Sequence, residues 1–168
     1  MFLLDGEALA ALLAAALAHE LGHVCALAAS GMRIRGVSLA ATGPVIRCDV
    51  PRTGFSAAAV SLAGPAFGAL AWLALRRCFP LAAEMSAVLT AVNLLPVLPL
   101  DGGRALAAVP GSGRVLAAVR IVTLAALAAF GVRCAVCGFG AAPLLLAIWL
   151  ILLPETCKNA PDDVQYSY

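Results

Sequence analysis

The chain has 168 residues, of which 63% are hydrophobic and only 12% are charged. A single soluble domain of this size could not hide so many apolar side chains, so the composition excludes that class and indicates a membrane protein. The net charge of +2 is small and no run concentrates Lys and Arg, which excludes nucleic-acid binding.

Five stretches are long enough, at about 18 to 25 residues each, to cross a bilayer as helices. They lie approximately at 7–30, 56–75, 81–99, 115–132 and 134–153. After Pro154 the chain becomes polar, which predicts a short cytoplasmic tail over 154–168. We therefore expect an all-α polytopic membrane protein with one domain over 1–153.

The first predicted helix contains the sequence HELGH, which places His19, Glu20 and His23 within an apolar run. Residues four apart share a helix face, so the two imidazoles can hold one cation with Glu20 beside it. Neutral imidazole suits Zn²⁺, and an adjacent carboxylate can act as a general base. The motif also arises by chance, but these are the only two histidines of the chain, and ionisable groups in membrane helices are usually functional.

Residues 31–54, between the first two predicted helices, are too polar and too rich in Gly and Pro for another span. Short β-prone pieces at 34–39 and 45–50 flank the turn signal Thr42-Gly43-Pro44, which predicts a small β-hairpin or re-entrant loop. An ordinary cytoplasmic loop is the alternative. A hairpin would offer an edge strand that a substrate could extend.

The third predicted helix ends in NLLPVLPLDGGRAL, residues 93–106. Pro96 and Pro99 break the helix, and Gly102 with Gly103 allows a sharp turn beside Asp101. An isolated Asp-Gly-Gly would be a plain turn. Together with the two histidines, Asp101 predicts a metal site of two imidazoles and one carboxylate.

The basic residues predict the orientation of the chain. With the N-terminus outside, the cytoplasmic side receives most of them, as the positive-inside rule requires. These residues are Arg33, Arg35, Arg47, Arg52, Arg104, Arg114 and Lys158. In this arrangement the histidine pair and Asp101 both lie toward the cytoplasmic side of the cell membrane.

The pair HELGH and NLLPVLPLDGG resembles the site-2 protease family of intramembrane zinc metalloproteases, and most closely its compact bacterial, sporulation-protease-like branch. The resemblance covers a three-helix catalytic core over about 7–110 and leaves two further helices over about 115–153. It implies one Zn²⁺ held by His19, His23 and Asp101, with Glu20 as the general base. It also implies a membrane-spanning or membrane-tethered protein substrate, cut in or near its transmembrane segment.

The same resemblance implies a substrate cleft shaped by Asn93 and Pro96 on the third helix, and by Gly64 and Pro65 of the Ala-Gly-Pro motif on the second. It further implies that the hairpin aligns an extended substrate by strand addition. One position departs from the family, because Gly68 stands where many members have asparagine. A polar contact to substrate would then be missing or supplied by another group.

Two other functions stay open. A non-catalytic relative would bind membrane partners through the same groove, although such a protein has no use for Glu20. A zinc transporter would need polar groups continuing to the outer side, and the second and fifth predicted helices offer none. A membrane regulator, a homo-oligomer and a role for Cys134 and Cys137 are also left open, with packing the more ordinary role for these two cysteines.

Overall fold

The structure is a computed structural model that describes residues 6–31, 34–40, 43–48 and 53–153, with the backbone alone for the two short middle ranges. The predicted tail over 154–168 lies outside the described residues. In chain order the elements are α1 (Gly6–Ala29), β1 (Ile34–Ala40), β2 (Gly43–Cys48), α2 (Phe55–Leu75), α3 (Pro80–Asn93), α4 (Asp101–Ala107), α5 (Gly113–Val136) and α6 (Ala142–Leu152).

Three of the predicted spans are confirmed as helices long and apolar enough to cross a membrane. Within the described ranges these are α1, α2 and α5, of 24, 21 and 24 residues. At 1.5 Å per residue each exceeds the thickness of about 30 Å of a bilayer's hydrocarbon core. These three helices are therefore long enough to span the hydrocarbon core of a bilayer.

The third predicted span, 81–99, is corrected by the structure. Its helix α3 has 14 residues and ends at Asn93, and residues 94–100 fold into turns. The reason is local, since Pro96 has no N–H to continue the helical ladder and disfavours helical geometry in Leu95. A helix of this length rises about 21 Å, less than the hydrocarbon core.

The fifth predicted span, 134–153, is also shorter than expected. Cys134 belongs to the last turn of α5, and α6 begins only at Ala142, with 11 residues. Between them Gly138 and Gly140 adopt positive φ angles of 78° and 102°. Glycine adopts that left-handed geometry freely, so the chain reverses direction here instead of continuing as a helix.

The segment after α1 contains two short antiparallel strands, β1 and β2. Their register pairs Val37 with Ile46 and Leu39 with Pro44, and an irregularity lies between Ile34 and Gly36. The strands form a two-stranded sheet. No third strand pairs with it among the residues that the structure describes, so each strand keeps one edge there without a neighbour.

The helices α1, α2 and α3 pack against one another, and α4 packs on α2. Gly22 permits the close approach of α1 and α2, because a Cβ atom there would lie 2.9 Å from the Phe67 Cβ. Close contact at small residues is the usual way in which helices associate in lipid. The remaining pair, α5 and α6, joins the rest through a cluster around Val97, Leu100 and Leu150.

A backbone hydrogen bond fixes α4 relative to α2. The amide of Gly54, just before α2, donates to the carbonyl of Ala108 at the end of α4, at 2.8 Å. Ala108 also joins a buried cluster with Leu27 of α1 and Val60 of α2. The end of α4 is therefore held against both long helices, which brings its first residue, Asp101, toward the histidines of α1.

Candidate metal centre

The two histidines of α1 lie on one buried face of the helix. His19 is 5% exposed and His23 is 1% exposed, and their Nε2 atoms are 3.3 Å apart. The ring planes meet at 78°, so the imidazoles are angled toward a common point and not stacked. This is the geometry that spacing of four residues on a helix predicts.

Asp101 completes the cluster from the first residue of α4. Its Oδ2 lies 3.0 Å from Nε2 of His19 and 3.3 Å from Nε2 of His23. Burial alone would raise the pKa of Asp101, but the contacts with both imidazoles outweigh it and lower the pKa to about 2. The carboxylate is therefore ionised, the state in which it can bind a metal.

The position of Asp101 depends on the two glycines that follow it. A Cβ on Gly102 would lie 2.6 Å from the carbonyl carbon of Leu94, and one on Gly103 would lie 2.6 Å from the carbonyl oxygen of Val97. Both distances are shorter than van der Waals contact. Only glycine lets α4 lie directly on the turns formed by residues 94–100, which include a cis peptide bond before Pro99.

A carbonyl group of α2 orients His23. The Nδ1–H of His23 donates to the Val60 carbonyl oxygen at 2.9 Å, which turns Nε2 toward Asp101 and His19. Imidazole ligands of metals are commonly held in this way by a hydrogen bond at the second ring nitrogen. Sequence reasoning missed Val60, because a backbone acceptor leaves no mark in side-chain identity.

Gly64 leaves open the space where the ligand atoms converge. A Cβ at this position would lie 2.8 Å from Nε2 of His19, 2.7 Å from Cε1 of His23 and still nearer to Nε2 of His23. The backbone of α2 therefore lies directly against the ligand atoms. Any side chain at position 64 would occupy the space beside them. The sequence placed Gly64 at the substrate cleft, and the structure places it against the histidine pair itself.

This donor set fits a divalent cation. Two imidazole nitrogens and one carboxylate oxygen lie within 4.8 Å of one another, all three residues buried. Asp101 Oδ2 is close to both Nε2 atoms, yet it has no partner with hydrogen-bond geometry in the described part of the chain. Ligand atoms that face one point in this way are arranged for a shared ion, and two histidines with one carboxylate suit zinc.

Glu20 follows His19 directly and is half-buried. Its Oε2 atom is buried and makes no hydrogen bond to any residue that the structure describes. A carboxylate oxygen kept from water without a partner is costly, so a group that reaches it from outside the chain would be stabilised. Such an oxygen beside a metal site can exchange a proton with a reactant.

The other predicted cleft residues lie on the elements around this centre. Pro65 is buried next to Gly64 in α2, and Pro96 is half-buried in the turns before α4. Asn93 uses its side chain locally, because Nδ2 donates to the Leu89 carbonyl oxygen at 3.0 Å. The structure thus places Gly64 at the ligand atoms but shows Asn93 engaged with its own helix.

Gly68, one turn beyond Gly64, faces α3. A Cβ there would overlap the Oγ1 atom of Thr90 and lie 3.7 Å from the Ser86 carbonyl oxygen. The space that an asparagine would occupy at position 68 is therefore filled by the Thr90 hydroxyl. Sequence reasoning flagged Gly68 and missed Thr90, since the two positions meet only through the packing of α2 on α3.

Comparisons with known proteins agree with this arrangement. Residues 60–132 match the model of Peptidase family M50. The solved structure of the site-2 protease from Methanocaldococcus jannaschii is similar, with a TM-score of 0.67 over 96% of this chain and 82% of that one, at 19% identity. The family model and the solved structure together support the resemblance to the site-2 protease family that the two motifs indicate.

A similar protein comes from Synechocystis sp. (strain ATCC 27184 / PCC 6803 / Kazusa). It is provisionally named a zinc metalloprotease, sll0528, and is 31% identical over 109 residues. The match covers 56% of this chain and 29% of the relative, so the chain spans under a third of that protein's length.

The family match over 60–132 contains Asp101 but begins after the histidine helix α1. The geometry joins the two parts, since His19 and His23 of α1 meet Asp101 within ion-pair distance. The likeness to the solved structure shows the same fold across nearly the whole chain, including α1. The HELGH helix is thus part of the fold that the two chains share.

Proposed function

We propose that this protein is an intramembrane zinc metalloprotease that hydrolyses a peptide bond in or near the transmembrane segment of a membrane-tethered protein. The observation that carries the proposal is the convergence of His19, His23 and Asp101 beside Glu20 at a buried position within a bundle of apolar helices. Polar groups at such a position are costly unless they serve a site.

His19, His23 and Asp101 would hold the zinc ion, with Nε2 of each imidazole and Oδ2 of the carboxylate as ligands. When bound, zinc supplies a Lewis acid that polarises a carbonyl group and lowers the pKa of water. The Val60 carbonyl accepts a hydrogen bond from Nδ1–H of His23 and so orients Nε2 toward the other two ligands. Gly64 keeps backbone, and no side chain, against the reacting groups.

Glu20 is the general base and acid. Its Oε2 has no competing partner in the ranges that the structure describes, so it can accept a proton from the attacking water. The same oxygen then gives that proton to the nitrogen of the leaving amine as the peptide bond breaks. Proton transfer of this kind contributes a rate factor of about 10² to 10⁴.

The substrate must reach the site in an extended form. A helix hides its scissile carbonyl groups in its own hydrogen bonds, so a transmembrane substrate has to unwind before cleavage. The β1–β2 sheet follows the histidine helix directly and could accept an added strand. With the N-terminus outside, cleavage would occur toward the cytoplasmic side, as the distribution of basic residues favours.

The test is cleavage of a panel of single-span reporter proteins co-expressed with the parent or with Glu20→Gln. The variant keeps the three ligands and the size of the side chain but loses the base. We expect Glu20→Gln to retain zinc and to lose reporter cleavage by at least about 10²-fold. Gel mobility of the reporter measures cleavage, and metal analysis of the purified protein measures zinc.

Glu7→Gln is the matched control, because Glu7 lies on the same helix and is exposed. It should cleave at the parent rate. Equal processing of the reporter by the parent and by Glu20→Gln would overturn the protease assignment. Stable capture of uncut reporter by both proteins would favour the non-catalytic relative, and normal processing by Asp101→Ala would exclude Asp101 as a ligand.

A further inference from the structure

The hydroxyl group of Thr90 behaves differently from the other hydroxyl groups in the helix bundle. Ser61 Oγ and Ser86 Oγ each donate to the carbonyl oxygen four residues earlier, at 2.9 Å. This is the usual way in which such a group is satisfied inside a helix. Thr90 Oγ1 is buried and has no hydrogen-bond partner among the residues described.

The Thr90 hydroxyl points across the helix interface toward α2. A Cβ on Gly68 would overlap Thr90 Oγ1 but would lie 3.6 Å from Thr90 Cβ, so the hydroxyl is the part of the side chain nearest to α2. The residue as a whole is half-buried. The hydroxyl oxygen is therefore shielded at the contact between the two helices, while the rest of the side chain is partly exposed.

The geometry also relates Thr90 to the metal centre. Gly64, which faces the histidine Nε2 atoms, and Gly68, which faces Thr90, are four residues apart on α2. Positions with that spacing share a helix face and are separated by about 6 Å along the axis. Thr90 Oγ1 thus lies about one helical turn from the metal centre, along a strip of α2 that carries no side chains.

We propose that Thr90 is a substrate-contacting residue of this protease, and the proposal rests on the function proposed above. Its hydroxyl donates a hydrogen bond to a backbone carbonyl oxygen of the unwound substrate, about one to two residues from the scissile bond at 3.3–3.6 Å per residue. Gly64 and Gly68 carry no side chains, so a substrate that enters where α2 and α3 separate meets only backbone of α2 at these two positions. Unwinding frees the carbonyl groups that need such a donor.

An unpartnered buried hydroxyl costs free energy in the resting protein, and a substrate carbonyl would satisfy it. A structural role for Thr90 and a role in substrate binding predict different effects of removing its hydroxyl on stability and on cleavage. If Thr90 stabilised the fold, its removal would lower the thermal stability. If it serves the substrate, removal leaves stability intact or raises it, and slows cleavage.

The experiment compares Thr90→Val, which has nearly the same shape without the hydroxyl, with Thr90→Ser, which keeps it. The substrate is the single-span reporter that the parent cleaves and Glu20→Gln does not. We expect kcat/KM to fall at least about ten-fold in Thr90→Val and to stay near the parent value in Thr90→Ser. Zinc content should match the parent in both variants, and the melting temperature in detergent should be equal to that of the parent or, in Thr90→Val, higher.

A hydroxyl moved to the opposite helix gives a second test. Thr90→Ala removes the group, and the double variant Gly68→Ser with Thr90→Ala returns it from α2. The space allows this exchange, because the new Cβ would lie 3.6 Å from the Cβ at position 90, an ordinary contact distance. Cleavage should be slow in Thr90→Ala and should recover by at least about three-fold in the double variant, because one donor is restored.

The outcomes separate this inference from the function on which it rests. Parent-like kcat/KM in Thr90→Val, or a loss matched by lower zinc content or a lower melting temperature, would overturn the role of Thr90. If Glu20→Gln abolishes cleavage in the same assay, the protease assignment survives that result. Equal cleavage by the parent and Glu20→Gln would instead overturn the proposed function, and the role of Thr90 with it.

Discussion

Gly64 has no side chain, so nothing from position 64 occupies the space beside the two histidines. It binds nothing itself, yet its missing side chain leaves the ligand atoms of α1 accessible from α2. The neighbouring Val60 carbonyl orients one of those ligands. At the scale of single residues, α2 shapes the metal centre through backbone atoms alone.

Gly64→Ala should therefore weaken zinc binding. The added methyl group would lie 2.8 Å from His19 Nε2, in the space toward which the ligand atoms point. Alanine is the better helix former by about 1 kcal/mol, so the helix itself should not be weakened. Metal analysis and reporter cleavage measure the effect, and we expect both to fall by at least about ten-fold, the result of losing about 1.4 kcal/mol of binding.

Gly113→Ala is the matched control, since its added Cβ would meet nothing within 4 Å. It should bind zinc and cleave the reporter as the parent does. Full zinc occupancy in Gly64→Ala would show that α2 lies farther from the histidines than the structure places it.

The sequence could predict the site at this scale only where side chains carry the chemistry. His19, Glu20, His23 and Asp101 were found because their types and spacing are those of a metal site. Val60 and Thr90 were missed for physical reasons: one acts through a carbonyl group, and the other acquires its position from a glycine on another helix. Contacts of either kind exist only after the helices pack.

The short helix α4 has a positional function, because it delivers Asp101 to the histidines. Its first turn lies on the turns of residues 94–100, and its end is tied to the start of α2 through the Gly54 amide. The element is too short to hold this position by its own helical stability. Its location is set by the backbone contacts at both ends.

Gly103→Ala should move α4 away from those turns. The new Cβ would lie 2.5 Å from the Leu98 amide nitrogen, a distance that requires a shift of the backbone. We expect Asp101 to lose its distances to the histidines, with weaker zinc affinity and a destabilisation of about 1 to 3 kcal/mol from overpacking. Zinc titration and thermal unfolding in detergent measure the two effects.

Gly6→Ala serves as the control for that variant, because a Cβ at Gly6 would also meet nothing within 4 Å. It should leave zinc affinity unchanged. Parent-like affinity in Gly103→Ala would mean that Asp101 is placed independently of α4.

Apolar runs in the sequence predict the long helices but not where the short helices end. Residues 81–99 are apolar enough to suggest one span, whereas the structure ends α3 at Asn93 because the two prolines interrupt the helix. Pro96 and Pro99 predict an interruption of the helix, but the sequence alone does not say whether a proline kinks a helix or ends it. That choice is made by packing, here of the turns against Gly102 and Gly103.

The molecule as a whole separates the metal centre from the turn that joins α5 to α6. Asp101 lies at the start of α4, while Cys137 caps the far end of α5 and is exposed. If α5 crosses the membrane, the connection between α4 and α5 and the connection between α5 and α6 face opposite sides. From the positive-inside rule we expect the first of these to lie in the cytoplasm.

Labelling with a membrane-impermeant maleimide tests that orientation in intact cells. In a variant that keeps Cys137 as its single cysteine, we expect labelling from outside without lysis. The matched variant lacks all native cysteines and carries Val109→Cys, at a position that is 52% exposed between α4 and α5. It should label only after the membrane is permeabilised, and the reverse pattern would invert the proposed topology.

His19 and His23 lie near the beginning of the chain and Asp101 lies well past its middle, on a helix that no long apolar face anchors. An ion shared by these three residues would act as a crosslink that closes a long loop of chain, much as a disulfide does. Closing such a loop removes conformations from the unfolded state and so favours the folded one. The cluster that supplies the chemistry would then also stabilise the fold, and removing its ion would lower the free energy of unfolding.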